Sequence, residues 1–446
     1  MGETKKLGLI DLIAISCGQV IGAGVVTLIG TAIVATGTSA WLAYGAAVVV
    51  GFISIIPFIF ISSATVLQGG EYSIVANMLN EKLAGFYAAA FISQCLSLSL
   101  LGTSLGSYVN SVFPEMNGRL IGLLAVSFFF ALNLLGVNMM ANAQKLLSAI
   151  LVVALLIFGL YGMTIVDPAV YDITRPGFFS DGYGGFVSAI AIYAFSTYGQ
   201  YMVMNFSKDA KNPTRDIPLA ILISTGVILI LYVTVAIANC GVLPIEEVAG
   251  KPLTLAAKKM FGKLYPLFII GGPAMALMTT MNSTYGSRAN PLLRAARDGW
   301  FPACIAKLNK RNVPYIIMTL IFLVGIIPLV AGLSIKTITN NLVLVGYTLR
   351  MITAVSIVRM PKMMAEQWKK SFLHVPDGVF YGIMGLTVVA NLYMVYLSAK
   401  GLTPKILMIN VVFLAFCAVY AVVRYNSGKV NLGSVKSMNL EIQKEN

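Results

Sequence analysis

The chain has 446 residues, of which 58% are hydrophobic and only 11% are charged. A soluble domain carries about 25% charged residues, so the composition excludes a soluble globular protein and indicates one that crosses a membrane many times. The formal net charge of +14 would be typical of a protein that binds nucleic acid, but the basic residues lie mainly in alternate loops between apolar segments. That placement reflects orientation in a lipid bilayer and excludes nucleic acid as the partner. Composition does not indicate an oligomeric state.

Twelve apolar segments are long enough to be transmembrane helices, each of which needs ~20 residues. They lie near 9–35, 41–67, 85–113, 119–138, 143–166, 184–206, 217–242, 264–287, 314–333, 338–359, 378–399 and 404–424. The basic loops, such as the one with Arg288, Arg294 and Arg297, are expected on the cytoplasmic side of the membrane. The sequence therefore predicts a multi-pass protein of the plasma (cell inner) membrane with both termini in the cytoplasm.

The first span is interrupted by three glycines, Gly18, Gly22 and Gly24. Such residues can form a packing face between membrane helices. Alternatively, they break the helix, and the freed N–H groups of Gly22, Ala23 and Gly24 then face an anion at the positive end of the following half-helix. A freed carbonyl at Val20 would accept from an ammonium group, so a zwitterion fits both ends.

A second interruption lies in mid-span at residues 195–201. The residues assigned to the substrate site here are Phe195, Ser196, Thr197, Tyr198 and Gly199. An interrupted helix survives at membrane depth only where it is buried in protein or lines a cavity. Two breaks at corresponding places in the two halves of a chain point to the substrate site of a secondary transporter. An aromatic ring at the break can close over a substrate, so Phe195 is interpreted as a gate.

The eighth span is unusually polar, with Thr280 and Ser283 among its hydroxyl side chains. These hydroxyls either bond to helix carbonyls or complete a sodium site with the carbonyls of Gly18 and Ile21, since hard cations prefer oxygen ligands. The third span raises the same choice at Gln94, which either lines the cavity or holds helices together. No cofactor is expected, and sodium is considered only as a coupling ion.

The two breaks also divide the chain. Each opens a group of five spans, which predicts two five-helix repeats of inverted topology with two additional helices. The predicted segments are a cytoplasmic N-terminus (1–8), the two repeats (9–166 and 184–359), helices eleven and twelve (378–424) and a cytoplasmic tail (426–446). The predicted fold class is an all-α membrane protein with twelve transmembrane helices.

Four motifs in this order resemble the amino acid–polyamine–organocation family of transporters. They are Gly22-Ala23-Gly24-Val25, Gly69-Gly70-Glu71-Tyr72, Asn212-Pro213 with Arg215 and Pro218, and Arg297-Asp298-Gly299-Trp300-Phe301-Pro302. The resemblance runs from about Leu7 to Pro361. It implies the fold of the sodium-coupled leucine transporter and the transport of amino acids or their amines by alternating access.

Two departures from the family concern coupling. Many proton-linked or exchanging relatives carry a lysine in the fifth span where this chain has Leu151. Some antiporters carry an acid where this chain has Tyr201. The family's devices for proton coupling are therefore absent from these positions, and sodium symport, proton coupling and exchange all stay open.

Arg350 is the only charge assigned to the interior of a span, and every acid is assigned to loops, tails or span ends. A charge at membrane depth is costly, so Arg350 either snorkels to the interface or serves as a fixed cation for coupling or gating. The sequence shows no paired carboxylates, metal cluster or catalytic triad, which argues against an enzyme.

The sequence thus predicts a permease for a small amino acid or derivative. An amine exchanger of the same fold and a sensor that has lost transport are the alternatives. The sensor predicts a blocked site, yet the glycines of both breaks are retained. A channel would need rings of charge or a carbonyl filter, and the sequence shows neither.

Overall fold

The computed structural model describes residues 6–433, apart from residues 195, 198, 334 and 401. Most of this part is helical. Its β-pairing is an isolated parallel bridge between Leu7 and Ala210. The α-helices are, in chain order, α1 (Leu9–Val20), α2 (Ala23–Thr36), α3 (Ala40–Ala64), α4 (Gly70–Met78), α5 (Glu81–Phe91), α6 (Ser97–Val112), α7 (Gly118–Leu134), α8 (Val137–Ile165), α9 (Gly182–Ala194), α10 (Pro213–Gly241), α11 (Ile245–Val248), α12 (Thr254–Phe261), α13 (Tyr265–Ile269), α14 (Met275–Arg297), α15 (Tyr315–Val330), α16 (Ile335–Ile357), α17 (Met360–Met363), α18 (Ala365–Lys370), α19 (Asp377–Lys400) and α20 (Pro404–Asn426).

Seven helices or helix runs in the described part are long and apolar enough to cross a membrane, and five further apolar helices are shorter. The helical membrane class predicted from composition agrees with this. The count of twelve crossings and the inverted repeat stay predictions. In the apolar stretches of α19 and α20 only 22% and 17% of residues are buried within the protein, so these two helices present most of their apolar surface outward, as lipid-facing helices do.

The centre of the molecule is built around α1, whose residues are mostly buried. Helices α8, α10 and α14 pack against it. Polar side chains join these helices where apolar packing alone would leave carbonyls unpaired. Gln144 and Ser148 of α8 donate to the carbonyl of Ala14, at 3.3 and 3.1 Å, and Asn282 of α14 donates to Gln144 at 2.8 Å. Such bonds fix one helix arrangement in a low-dielectric interior.

Two of the motifs meet at one end of the bundle. The Tyr72 hydroxyl donates to Asp298 at 2.9 Å, which connects the second motif to the fourth. Gly70 begins α4 with φ +53°, a conformation that glycine adopts readily. A Cβ on Gly70 would also lie 2.9 Å from the Cα of Asn205. The second motif is therefore a helix start fitted closely against the 3-10 segment Gln200–Asp209.

Candidate functional site

The first predicted break is present between α1 and α2. Helix α1 ends at Val20 and α2 begins at Ala23, so Ile21 and Gly22 leave the helical path. Gly22 has φ −123° and ψ −149°, far from helical values. The first N–H groups of a helix lack intrahelical partners. The start of α2 therefore directs freed N–H groups into the gap, with the positive end of its helix dipole behind them.

The second break follows α9, which ends at Ala194. The chain resumes at Gln200 as a 3-10 helix. The second half of the predicted span 184–206 is therefore not a regular α-helix. Ser196 and Thr197 turn tightly, with their N–H groups donating to the carbonyls of Tyr193 and Ala194 at 2.8 and 3.3 Å. The predicted gate Phe195 and the candidate Tyr198 lie outside the described residues.

The two breaks are in direct contact. The Tyr232 hydroxyl of α10 donates to the carbonyl oxygens of Val20 and Ser196, at 3.2 Å each. A Cβ on Gly199 would lie 2.9 Å from the carbonyl carbon of Gln19, and one on Gly24 would lie 3.3 Å from the Ser196 hydroxyl. The glycines let the two backbones approach each other, and Tyr232 holds them there.

A cavity of about 180 Å³ opens at this junction. Eight of the predicted site residues line it: Val20, Gly22, Gly24, Gln94, Ser196, Gly199, Thr280 and Arg350. Gln94 lies on the 3-10 segment Ile92–Leu96, which interrupts the helix predicted over 85–113, and its amide donates to the carbonyl of Leu342 at 3.4 Å.

Thr197 was predicted to belong to the substrate site, but it is not among the residues that line the cavity. Its side chain is fully buried. The hydroxyl donates to the carbonyls of Ala47 and Ala194, at 3.2 and 3.1 Å. The residue thus ties the second break to α3.

Two of the four predicted sodium ligands are brought together. The Thr280 hydroxyl donates to the carbonyl of Gly18 at 2.7 Å. Ser283 instead donates to the carbonyl of Thr279, one turn earlier in its own helix, at 2.9 Å. Ile21 is buried at the break between α1 and α2. Among the described residues there is no group of three or more His, Cys, Asp or Glu that would hold a metal ion.

Arg350 is 6% exposed and lines the cavity. Its guanidinium carbon lies 5.3 Å from the centre of the Tyr201 ring and 5.1 Å from that of Tyr347. These are cation–π distances. The head group is thus enclosed by aromatic rings inside the protein.

Arg288 was expected in an inside loop, and that expectation is wrong. Helix α14 continues to Arg297, and Arg288 is 6% exposed and lines the same cavity as Arg350. The apolar pattern ends near Ser287, and Pro291 usually marks a helix end, which explains the error. The available signal was spacing, since Thr280, Thr284 and Arg288 recur every four residues on one helix face.

Glu71 was assigned with the other acids to loops, tails or span ends, and in the structure it is 2% exposed. Its carboxylate accepts from the Asn205 amide at 3.3 Å, and its N–H donates to the amide oxygen of the same residue at 3.0 Å. The assignment of every acid to a loop, tail or span end therefore missed a buried carboxylate close to the cavity.

The chain resembles several known proteins over most of its length. A family model described as amino acid permease matches residues 7–426. The branched-chain amino acid permease of Bacillus subtilis is 23% identical over 339 residues, covering 70% of this chain and 71% of the relative. The vacuolar cationic amino acid transporter 4 of Arabidopsis thaliana is 25% identical over 337 residues, covering 69% of this chain and 55% of the relative.

The methylthioribose transporter of B. subtilis is 24% identical over 333 residues, covering 68% of this chain and 70% of the relative. These three relatives are named for different substrates, so kinship alone does not fix the substrate of this chain. The matched range includes both helix breaks and every residue that lines the cavity. The resemblance drawn from the four motifs is confirmed, and the chain belongs to the amino acid permease family.

Proposed function

We propose that this permease is a secondary transporter that carries an amino acid or a close derivative across the plasma membrane by alternating access. Twelve spans in an inverted repeat, with both termini in the cytoplasm, are part of the proposal. The observation that carries it is the meeting of two broken helices at one cavity. Broken helices that meet at a substrate site are a recurring feature of secondary transporters.

In this proposal the substrate carboxylate binds the backbone N–H groups of Gly22, Ala23 and Gly24. The ammonium group binds the carbonyl oxygens of Val20 and Ser196. Each of these oxygens accepts one bond from Tyr232, and a carbonyl oxygen has two lone pairs, so each retains one for the substrate.

The other described candidates have supporting roles. Gly199 keeps the breaks in contact, Thr197 anchors the second break to α3, and Gln94 lines the cavity. Phe195 is proposed as the gate and Tyr198 as a further substrate-site residue, because aromatic rings at a break can exclude water from a bound substrate.

Sodium is proposed as the coupling ion, with oxygen ligands from Gly18, Ile21, Thr280 and Ser283. The close approach of the Thr280 hydroxyl to the Gly18 carbonyl supports this assignment, because both oxygens are hard ligands of the kind that hard cations prefer. Ser283 would have to release its bond to Thr279.

Uptake into proteoliposomes tests the site. Gly24→Leu should abolish amino acid uptake, since the new side chain would project against Ser196 and fill the carboxylate position. Gly226→Leu is the matched control, because a Cβ on that glycine of α10 meets nothing within 4 Å. Uptake by Gly24→Leu close to that of the unmodified protein would overturn the proposed site.

A further inference from the structure

The cavity carries positive charge along its lining. Arg288 of α14 and Arg350 of α16 both line it, and no Asp or Glu is among the described residues that do so. Both guanidinium groups belong to side chains that are 6% exposed. A charge that is removed from water is costly unless it is paired, so a buried guanidinium group that has no ion-pair partner calls for a counter-charge in the cavity.

The described residues around Arg288 supply no ion-pair partner. Its Nε has no hydrogen-bond partner among the described residues, and none of the ion pairs in that part of the chain includes it. Its guanidinium carbon lies 5.2 Å from the centre of the Phe91 ring. The remaining donors of this group are available to a molecule in the cavity.

One buried acid lies in the neighbourhood. Glu71 interacts electrostatically with Tyr201, as do Arg350 and Arg288. The Glu71 carboxylate bonds to Asn205 and does not line the cavity. Glu71 is thus engaged away from the cavity, and a counter-charge for Arg288 is left to the substrate, which an acidic side chain supplies and a neutral one does not.

The spacing along α14 fits a substrate with acid groups at both ends. Thr280 lies beside the first break, where a Cβ on Gly22 would be 3.2 Å from its hydroxyl. Arg288 follows eight residues later, a rise of ~12 Å. Side chains on a helix lean toward its N-terminus, which directs Arg288 back toward Thr280 and shortens the gap.

We infer that the substrate is a dicarboxylic amino acid, whose α-carboxylate binds at the Gly22–Gly24 backbone and whose side-chain carboxylate binds Arg288 at the far end of the cavity. This inference rests on the proposed transport function and adds the substrate class. Arginine binds a carboxylate through two parallel N–H···O bonds, and its planar group discriminates a carboxylate from the corresponding amide.

The test compares each acid with its neutral isostere. Purified protein in proteoliposomes is given labelled glutamate, aspartate, glutamine or asparagine, and uptake efficiency is measured for each. The unmodified protein should prefer the acid to its amide by at least tenfold. Arg288→Met should lose most of that preference, and Arg288→Lys should recover part of it. Arg175→Met, in an exposed loop ion pair, is the matched control and should keep it.

The outcomes separate this inference from the proposed function. Transport of neutral amino acids with no preference for the acids overturns the dicarboxylic substrate and leaves the transporter intact. Failure to bind or transport any amino acid overturns both. The preference of the unmodified protein decides the matter even if Arg288→Met does not fold, and a preference that survives in a folded Arg288→Met protein also overturns the inference.

Discussion

Gly199→Ala is the most direct perturbation of the contact between the two breaks. Gly199 has φ −77° and ψ −18°, which alanine adopts without strain, so the backbone itself tolerates the change. The new Cβ would overlap the carbonyl oxygen of Gln19 and lie 2.9 Å from its carbonyl carbon. Both are backbone atoms, which a rotamer change cannot move away. One break must shift relative to the other.

Overpacking of this kind typically costs ~1–3 kcal/mol. The same displacement weakens the hydrogen bond that the single Tyr232 hydroxyl proton shares between Val20 and Ser196, worth about 0.5–1.5 kcal/mol. We therefore expect Gly199→Ala to unfold at a lower temperature in detergent and to lose most of its uptake in proteoliposomes. Because the displaced atoms form the proposed substrate site, the loss of uptake should exceed what a lower amount of folded protein explains.

Gly226→Ala is the control for the substitution itself. A Cβ there meets nothing within 4 Å, and alanine favours a helix interior over glycine by about 1 kcal/mol. This variant should be as stable as the unmodified protein or slightly more stable, with normal uptake. If Gly199→Ala behaves in the same way, the two breaks do not need their close contact, and the reasoning is refuted.

Three further substitutions test separate parts of the site. Tyr232→Phe removes the hydroxyl shared by Val20 and Ser196 and should lower the free energy of unfolding by about 1–3 kcal/mol. Substrate binding in a thermal-shift titration should also be weaker, and unchanged affinity would show that the hydroxyl does not set the site. Thr280→Val should abolish the dependence of uptake on external sodium, and uptake by the unmodified protein that is indifferent to replacement of sodium by choline would rule out sodium coupling. Arg350→Met should fold yet change the preference of transport for substrate charge, whereas an unchanged profile would assign the residue a purely structural role.

The sequence located both breaks because their cause is local. Glycines in mid-span weaken a helix wherever they occur, and α1 ends at Val20 within the stretch predicted to break. The same reasoning identified the polar side chains of α14 and placed Arg350 inside a span, while its choice between snorkelling and an internal position needed the structure. Each of these features depends on residue types at short spacing, which is what a single sequence displays.

The positions of Arg288 and Glu71 were not predictable in the same way. Hydropathy assigns a charged residue to a loop unless an apolar stretch encloses it, as one encloses Arg350. The burial of Glu71 depends on Asn205, 134 residues away, and that of Arg288 on a helix that continues past Pro291. Tyr232 was missed for a related reason, since only the folded chain reveals that its hydroxyl reaches both breaks.

The central claim is that an amino acid binds with its α-carboxylate on the backbone of the first break. A thermal-shift titration of the unmodified protein and Gly24→Leu against amino acids and their decarboxylated amines tests it most directly. Ligand at a hundredfold excess over Kd should stabilise the unmodified protein by ~2.7 kcal/mol. We expect this shift for the unmodified protein with at least one amino acid, no shift with the matching amine, and no shift in Gly24→Leu with either. Equal shifts with the amine, or in Gly24→Leu, would contradict it.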